Sequence, residues 1–234
     1  ANGAKVYISS RKADVCDATA ARLSADYDAE CISLPADLSS LDGVDALADA
    51  LKAREGHLDG LVNNAGASWG GKIDEFPENG WDKVMDTNVK AVFFLTQRLL
   101  PLLEAEASAD DPSRVINIGS VDGIRTPSFD TVSYGPSKAA VHSLTMQLAS
   151  KLVKRNILVN AIAPGPYPTW MLSTGVGTGG DVEGTDWASI GKMMPRGRVG
   201  TAEDIAGLAI FLASRAGAFT VGAVITSDGG LVVS

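Results

Sequence analysis

The chain has 234 residues, of which 45% are hydrophobic and 21% charged, the balance of one soluble α/β domain rather than two. Its net charge of −8 argues against nucleic acid or an anionic membrane as the main partner, and no apolar run reaches the roughly 18 residues of a membrane span. Cys16 and Cys31 form no CxxC or metal-type pattern, and His57 and His142 carry no motif, so we predict no metal site and a reduced, cytoplasmic protein.

Strands and helices are predicted to alternate along the chain. In order, the predicted elements are a strand at 5–9, a helix at 14–25, a strand ending at 34–37, a helix at 41–54, a strand at 58–62, a helix at 80–103 interrupted before Trp81, a strand at 114–119, a helix at 133–154, a strand at 157–162, a helix at 202–212 and a strand at 223–226. This alternation predicts a doubly wound, mostly parallel, Rossmann-like sheet with helices on both faces. We predict one domain over 1–234, in which the Gly-, Thr-, Met- and Pro-rich loop at 166–196 is a substrate lid.

Small or polar residues follow three of the predicted strands. Asn63-Asn64-Ala65-Gly66 follows one strand, Ser120 the next and Pro164-Gly165 a third. The carboxyl ends of parallel strands lie at one edge of the sheet, and ligands bind at that edge in open α/β sheets. We therefore expect these residues to line a single crevice.

A tyrosine and a lysine stand four residues apart in Tyr134-Gly-Pro-Ser-Lys138. On a helix this spacing places both side chains on one face, and a nearby ammonium is expected to lower the pKa of a phenol. A phenol tuned in this way is a usable general acid or base. Alone, the pair is more often a surface tyrosine and lysine. Ser120, 14 residues earlier at the sheet edge, makes it a candidate catalytic set.

The chain resembles the short-chain dehydrogenase/reductase family over essentially its whole length. The motifs that match, in the family's order, are Asp37-Leu38 beside adenine, Asn-Asn-Ala-Gly at 63–66, Asn88 in Asp-Thr-Asn-Val, Ser120, Tyr134 with Lys138, the PGxxxT segment from Pro164 to Thr169, and Asp-Gly-Gly at 228–230.

The resemblance implies a division of labour in the crevice. Tyr134 would donate a proton to the carbonyl oxygen as hydride reaches the carbon. Lys138 would lower the Tyr134 pKa and bind the nicotinamide ribose, and Ser120 would donate a hydrogen bond to the substrate oxygen. Asn88 would hold a water that passes protons to Lys138, although a structural asparagine that kinks its helix is an open alternative.

The resemblance also implies a dinucleotide in this crevice, approached closely by the backbone at Gly66. The backbone of Tyr167 and the Thr169 side chain would hold the carboxamide. The predicted cofactor contacts are Ser10, Arg11, Asp37, Leu38, Asn64, Ala65, Gly66, Tyr134, Lys138, Pro164, Gly165, Tyr167 and Thr169.

The residues after the first predicted strand favour NADP(H) over NAD(H). Ser9-Ser10-Arg11-Lys12 offers hydroxyls and cations with no acid before Asp14, and cations suit a ribose 2′-phosphate whereas an acid suits a ribose diol. Lys12 also fits a solvated turn. The Gly-Val-Gly-Thr-Gly-Gly run at 175–180 satisfies GxGxxG but lies inside the loop, not between a strand and a helix, so we do not interpret it as the dinucleotide fingerprint.

The family's Gly-rich turn after its first strand has no counterpart in this sequence. We expect that strand, its TGxxxGxG loop and the following helix to precede Ala1. Without this interior strand, a parallel sheet would leave unpaired backbone groups on two edges. The sequence is therefore predicted to be the C-terminal part of a longer chain.

The substrate is predicted to be a ketone or acyl compound contacted by Trp69, Ser120, Tyr134 and Trp170. Further apolar residues flank the expected crevice, namely Tyr167, Met171, Met193 and Met194. Such residues are equally common as core filler. Several stretches resemble the 3-oxoacyl reductase branch associated with rhamnolipid synthesis, which suggests a 3-oxoacyl thioester, while steroids, polyols and quinones stay open.

Two expectations concern the whole protein. The resemblance implies a homo-oligomer, a dimer or tetramer packed through the helices around 81–103 and 134–154. A different class of function, a catalytically silent nucleotide-sensing or scaffolding protein of the same fold, is disfavoured because a sensor need not keep Ser120, Tyr134 and Lys138.

Overall fold

The computed structural model describes residues 3–127, 129–174 and 182–234. Its strands are β1 (Val6–Ile8), β2 (Cys31–Ser33), β3 (Gly60–Asn63), β4 (Ser113–Ile118), β5 (Ile157–Pro164) and β6 (Val224–Ser227). Its α-helices are α1 (Ala13–Tyr27), α2 (Leu41–Lys52), α3 (Glu78–Met85), α4 (Ala91–Glu104), α5 (Tyr134–Leu152), α6 (Trp170–Thr174), α7 (Trp187–Lys192) and α8 (Ala202–Ala213).

All the described strand pairs are parallel. β3, β4, β5 and β6 form one sheet in that order, and β1 pairs with β2 in a second sheet. In the larger sheet Val62 is opposite Ile116, which is opposite Asn160. The predicted α/β class with a parallel, Rossmann-like sheet is confirmed.

Alternate residues of the central strands supply the core on opposite faces of the sheet, as the two-residue period of a strand requires. Val115 packs into a cluster with α2, α4 and α5, whereas its neighbour Ile116 packs with Ile162 and with Leu212 of α8. Helices therefore cover both faces. Burying each large apolar side chain contributes about 1.5–3 kcal/mol.

Helix ends are fixed by local capping. Ser40 accepts a hydrogen bond from Gly43 N at the start of α2, and Thr201 forms a reciprocal capping box with Asp204 at the start of α8. Such caps each stabilise a helix by about 1 kcal/mol.

The predicted helix at 80–103 is broken at a different place from the expected one. It consists of α3, a π-helical segment Asp86–Lys90 and α4, so the irregularity follows Trp81 instead of preceding it. A π-helical turn widens the helix by one residue, which hydropathy alone does not indicate.

The unpaired edges of β1 and β3 border a large cavity of about 2130 Å³, which also extends to the carboxyl ends of the strands. In the described part of the chain, no helix combines the length and apolar character needed to cross a bilayer.

Candidate active site

Ser120, Tyr134 and Lys138 meet on the wall of this cavity. Ser120 follows β4 after one glycine, and Tyr134 is the first residue of α5. The Lys138 amine, one turn further along α5, lies 5.6 Å from the centre of the Tyr134 ring. The i, i+4 spacing on one helix face places the phenol and the amine together.

Hydrogen bonds orient the serine and the lysine. Ser120 Oγ accepts from Asp122 N at 3.2 Å, and the Ser120 hydroxyl also interacts with the Tyr134 side chain. Lys138 Nζ donates to the Ile118 carbonyl at 2.8 Å, and only 4% of Lys138 is exposed. The last carbonyl of β4 therefore holds the amine at the base of the site.

Burial shifts the pKa values of the tyrosine and the lysine in opposite directions. Burial raises the pKa of Tyr134 to about 12, opposed by the Ser120 hydroxyl and increased further by the Asp122 carboxylate. Burial lowers the pKa of Lys138 to about 8. Both shifts disfavour the charged form of a group removed from water.

The expected lowering of the Tyr134 pKa by Lys138 is therefore not found. The amine is bonded to the Ile118 carbonyl instead of the phenol, so loss of solvation is the dominant effect on the tyrosine. Tyr134 consequently carries its proton at neutral pH, which is the state that a proton donor needs.

Asn88 lies next to the site but has its side chain committed to the protein. It is 1% exposed and sits in the π-helical segment Asp86–Lys90. Its Oδ1 accepts from Ala67 N at 2.7 Å, while its Nδ2 donates to Ala67 O and to Ser137 Oγ, each at 2.9 Å. These bonds tie the turn after β3 to α5 and use both N–H groups of the Asn88 amide, while the predicted water-holding role of Asn88 stays a prediction.

Every predicted cofactor contact lines the cavity. The set is Ser10, Arg11, Asp37, Leu38, Asn64, Ala65, Gly66, Tyr134, Lys138, Pro164, Gly165, Tyr167 and Thr169. The Asp37 carboxylate accepts from Ser39 N at 3.0 Å and from Ser39 Oγ at 2.7 Å. These two bonds, with weaker help from the charges of Arg11 and Lys83, lower its pKa.

The segment after β5 is anchored by the Tyr167 side chain. The Tyr167 hydroxyl and Ser227 Oγ are 2.6 Å apart, and Gly165 N donates to Ser227 O at 3.0 Å. Two contacts with β6 thus fix the course of the Pro164–Thr169 backbone along the cavity.

The two predicted tryptophan contacts do not belong to the cavity wall among the described residues. The Trp69 ring packs over Gly80, where a Cβ would lie 2.7 Å from the ring, and Lys83 Nζ stands 5.3 Å from a Trp69 ring centre. Trp170 is 71% exposed. Trp69 thus packs on α3 and Trp170 is largely exposed, and their role as substrate contacts stays a prediction.

Other apolar residues line the cavity, one before α5 and the rest in or next to α6 and α7. The set is Phe129, Met171, Leu172, Ile190, Met193 and Met194, of which the sequence interpretation included the three methionines. Phe129 had one usable signal, as the single aromatic residue between Ser120 and Tyr134. The glycine-rich run at 175–180 lies outside the described residues.

Comparisons with known proteins agree with this geometry. Residues 1–232 match the family model described as enoyl-(acyl carrier protein) reductase. The rhamnolipids biosynthesis 3-oxoacyl-[acyl-carrier-protein] reductase of Pseudomonas aeruginosa is 50% identical over 228 residues, 97% of this chain and 86% of that protein. The 2-dehydro-3-deoxy-D-gluconate 5-dehydrogenase of Escherichia coli is 39% identical over 203 residues, 85% of this chain and 75% of that protein.

A solved structure is similar over nearly the whole chain. The Pseudomonas aeruginosa RhlG/NADP active-site complex has a TM-score of 0.88 and 46% identity, covering 98% of this chain and 87% of that one. With the family match and the converging motifs, this confirms the resemblance, and the chain belongs to the short-chain dehydrogenase/reductase family.

Proposed function

We propose that this protein is an NADPH-dependent reductase that transfers hydride to a ketone carbon, with a 3-oxoacyl thioester as the substrate to test first. One observation carries the proposal. Ser120, Tyr134 and Lys138 line the same cavity as every predicted dinucleotide contact, and burial keeps the Tyr134 phenol protonated.

The cavity fits a dinucleotide phosphate. Ser10 and Arg11 line it just after β1, and Lys138 lines it at the other side of the sheet edge. At Gly66 a Cβ would lie 3.7 Å from Lys138 Nζ, so the absence of a side chain leaves room next to the amine. Arg11 supplies the cation that a 2′-phosphate needs, and the RhlG/NADP complex supports this choice of cofactor.

The side chains of this protein would perform the proton chemistry. The bound cofactor supplies the hydride that reduces the carbonyl carbon. The Ser120 O–H would donate a hydrogen bond to the carbonyl oxygen as its negative charge develops, with Ser120 Oγ held from behind by Asp122 N. Tyr134 transfers its proton to that oxygen and completes the alcohol. A proton from solvent then restores the Tyr134 phenol, and Lys138, held at the base of the site by the Ile118 carbonyl, would bind the nicotinamide ribose.

The substrate end favours an apolar acyl chain. Phe129, Met171 and Met193 line the cavity, and unbranched methionine side chains adapt to flexible apolar ligands. The name of the Pseudomonas relative, a 3-oxoacyl reductase, points to the same substrate class. The Escherichia coli relative is named for a sugar acid, so a keto sugar acid is the natural comparison compound.

Three further properties belong to this proposal. We infer one domain over 1–234 in which residues 166–196 act as a lid, supported by the cavity-lining Met171 and Ile190 in α6 and α7. We also infer a homo-oligomer, a dimer or tetramer, supported by exposed Trp81 on α3 and Met146 on α5. A cytoplasmic location is consistent with two free cysteines.

The test compares wild type with Tyr134→Phe, measuring NADPH oxidation with a 3-oxoacyl thioester and NADPH binding by fluorescence. Loss of the proton donor should lower kcat by a factor of about 10²–10⁴ with binding retained. Tyr27→Phe, at an exposed position on α1, is the matched control and should behave like wild type. Binding without turnover by wild type across thioesters, sugar acids and other ketones would favour the sensor instead.

A further inference from the structure

A buried histidine continues the catalytic face of α5. Tyr134, Lys138 and His142 follow one another at four-residue intervals, so successive turns of α5 present a phenol, an amine and an imidazole on the same side. His142 is only 7% exposed. The proton transfer proposed above uses the first two groups and leaves the third without a role.

The His142 imidazole packs against the backbone of Gly119 and Gly123, which precede and follow Ser120. A Cβ at Gly119 would lie 2.2 Å from His142 Nε2, and a Cβ at Gly123 would lie 2.8 Å from its Cε1. Real Cβ atoms do not approach other atoms so closely, so the ring occupies space that two glycines on either side of Ser120 leave open.

The His142 ring also contacts the serine backbone, since Ser120 N donates to His142 Nε2 at 3.4 Å. This contact is one of three on consecutive residues at the end of β4. The Ile118 carbonyl accepts from Lys138 Nζ at 2.8 Å, and Gly119 N donates to Ile162 O at 2.7 Å. The exit of β4 is thus held by β5 and by two side chains of α5.

We propose that His142 is a positioning residue for the reductase reaction. As a neutral imidazole with its proton on Nδ1, it presents the Nε2 lone pair to the Ser120 amide and fixes the orientation from which Ser120 Oγ reaches the substrate. The kinetic part of this inference rests on the proposed function, whereas the contact itself does not.

Charge on the ring would oppose this contact. An imidazolium carries a proton on both nitrogens, so its Nε2–H would face the Ser120 N–H. Burial, with a smaller effect from the Lys138 charge, lowers the pKa of His142. Of the charged groups nearby, Lys138 on α5 acts on the ring and Asp122 precedes Gly123 in the turn packed against it. β4 approaches the ring through the backbone of Gly119. The contact is therefore present at neutral pH and is lost as the pH falls through the His142 pKa.

The contact can be tested without activity because the chain has two histidines. Imidazole ¹⁵N spectra of the full chain, assigned with His57→Gln, give the tautomer and pKa of His142. We expect the Nδ1–H tautomer, a pKa below 6.5, and a Ser120 amide shift that titrates with it. An Nε2–H tautomer, or a Ser120 amide insensitive to the titration, would overturn the proposal.

The kinetic role is tested with two variants of different chemistry. His142→Gln keeps an acceptor near the Nε2 position but does not titrate, whereas His142→Leu fills the space and offers no acceptor. We expect His142→Leu to lose kcat by about tenfold with little change in the KM for NADPH, and His142→Gln to recover most of that loss and to lack the acid fall in kcat that wild type shows.

Leu152→Ala, a cavity-forming change at the distant end of α5 where Leu152 is 4% exposed, controls for destabilisation and should retain kcat below its melting temperature. Equal kcat in the Leu and Gln variants, or an unchanged acid limb in His142→Gln, would refute the positioning role. Absence of turnover in wild type would refute the proposed reductase instead, and the spectra would still decide the contact.

Discussion

At the scale of single residues, burial determines the protonation states of the site more than the charged partners do. The Tyr134 phenol and the Lys138 amine are both shifted toward their neutral forms, and the Asn88 amide has been drawn into backbone bonds with Ala67. Tyr134 and Lys138 line the cavity, whereas Asn88 is 1% exposed and supports the site from behind.

Cofactor choice provides a prediction at this scale. Arg11→Asp replaces a cavity-lining cation with an acid that suits a ribose diol. A charge-assisted hydrogen bond contributes about 1.5–3 kcal/mol, so we expect the KM for NADPH to rise about 10- to 100-fold while NADH is used equally well or better. Steady-state kinetics with both cofactors measure the ratio.

Lys12→Asp is the matched control for that change. Lys12 is the neighbouring residue with the same charge, but it is absent from the described lining of the cavity. It should leave the NADPH preference nearly unchanged. A similar loss of preference in both variants would indicate a diffuse electrostatic effect and would contradict a specific role for Arg11.

Site residues that directly follow a strand could be predicted from the sequence. The carboxyl ends of parallel strands all lie at one edge of the sheet, so the residues after them lie there too. Ser120 and Gly66 belong to this class, and both line the cavity. Trp69 was assigned from its residue type and its place beside the expected crevice, whereas its packing over Gly80 depends on how α3 lies against the turn after β3. His142 was set aside as a histidine without a motif, since the space left by Gly119 and Gly123 exists only in the folded chain.

At the scale of elements, α2 packs so closely against the backbone of Asp37 that one of its residues must be a glycine. A Cβ at Gly43, near the start of the helix, would lie 1.9 Å from the Asp37 carbonyl oxygen. Asp37 lines the cavity and is predicted to lie beside adenine. The start of α2 therefore packs against a predicted cofactor contact.

Gly43→Ala is therefore expected to destabilise the protein, because the obstacle is backbone and cannot rotate away. Overpacking of this kind costs about 1–3 kcal/mol, and displacement of Asp37 should also weaken NADPH binding. Urea unfolding and a binding isotherm measure the two effects.

The same substitution at Gly207 has the opposite expected sign. Gly207 lies in α8, and a Cβ there meets nothing within 4 Å. Alanine is favoured over glycine in a helix interior by about 1 kcal/mol, so Gly207→Ala should be slightly more stable than wild type. Equal stability of the two variants would show that the backbone at Asp37 yields easily and would contradict the first expectation.

The regular helices could be predicted because the spacing of apolar residues along the sequence follows the period of a helix. The predicted helices at 14–25, 41–54 and 202–212 correspond closely to α1, α2 and α8. The π-helical segment Asp86–Lys90 was not predicted in place, since its cause is the set of bonds that Asn88 makes with Ala67 and Ser137, partners 21 and 49 residues away.

At the scale of the whole molecule, the parallel order of β3, β4, β5 and β6 explains why one cavity collects the site. Every strand delivers its following turn to the same edge, and α5 crosses beneath that edge with its polar face toward β4. The buried charge on α5 is consequently part of the stability of the entire fold.

Lys138 makes that stability depend on pH in a defined window. Its pKa is about 8 in the folded chain, against an ordinary value of 10.5, so between these values the unfolded chain binds a proton that the folded chain does not. Stability from this group is complete above pH 10.5 and is lost as the pH falls toward 8. Tyr134, whose pKa is raised from 10.0 to about 12, has the opposite effect but only above pH 10.

Relative to Lys138→Met, the wild-type free energy of unfolding should therefore rise by about 2 kcal/mol between pH 8 and pH 10, measured by urea unfolding of the protein without cofactor. Taking the difference between variants cancels the groups that both share. Lys154→Met, at an exposed lysine beyond α5, removes the same charge from water and should follow wild type across the window. A difference between wild type and Lys138→Met that does not change with pH would mean that the amine is charged and solvated in the folded chain, contrary to its burial beneath Ile118.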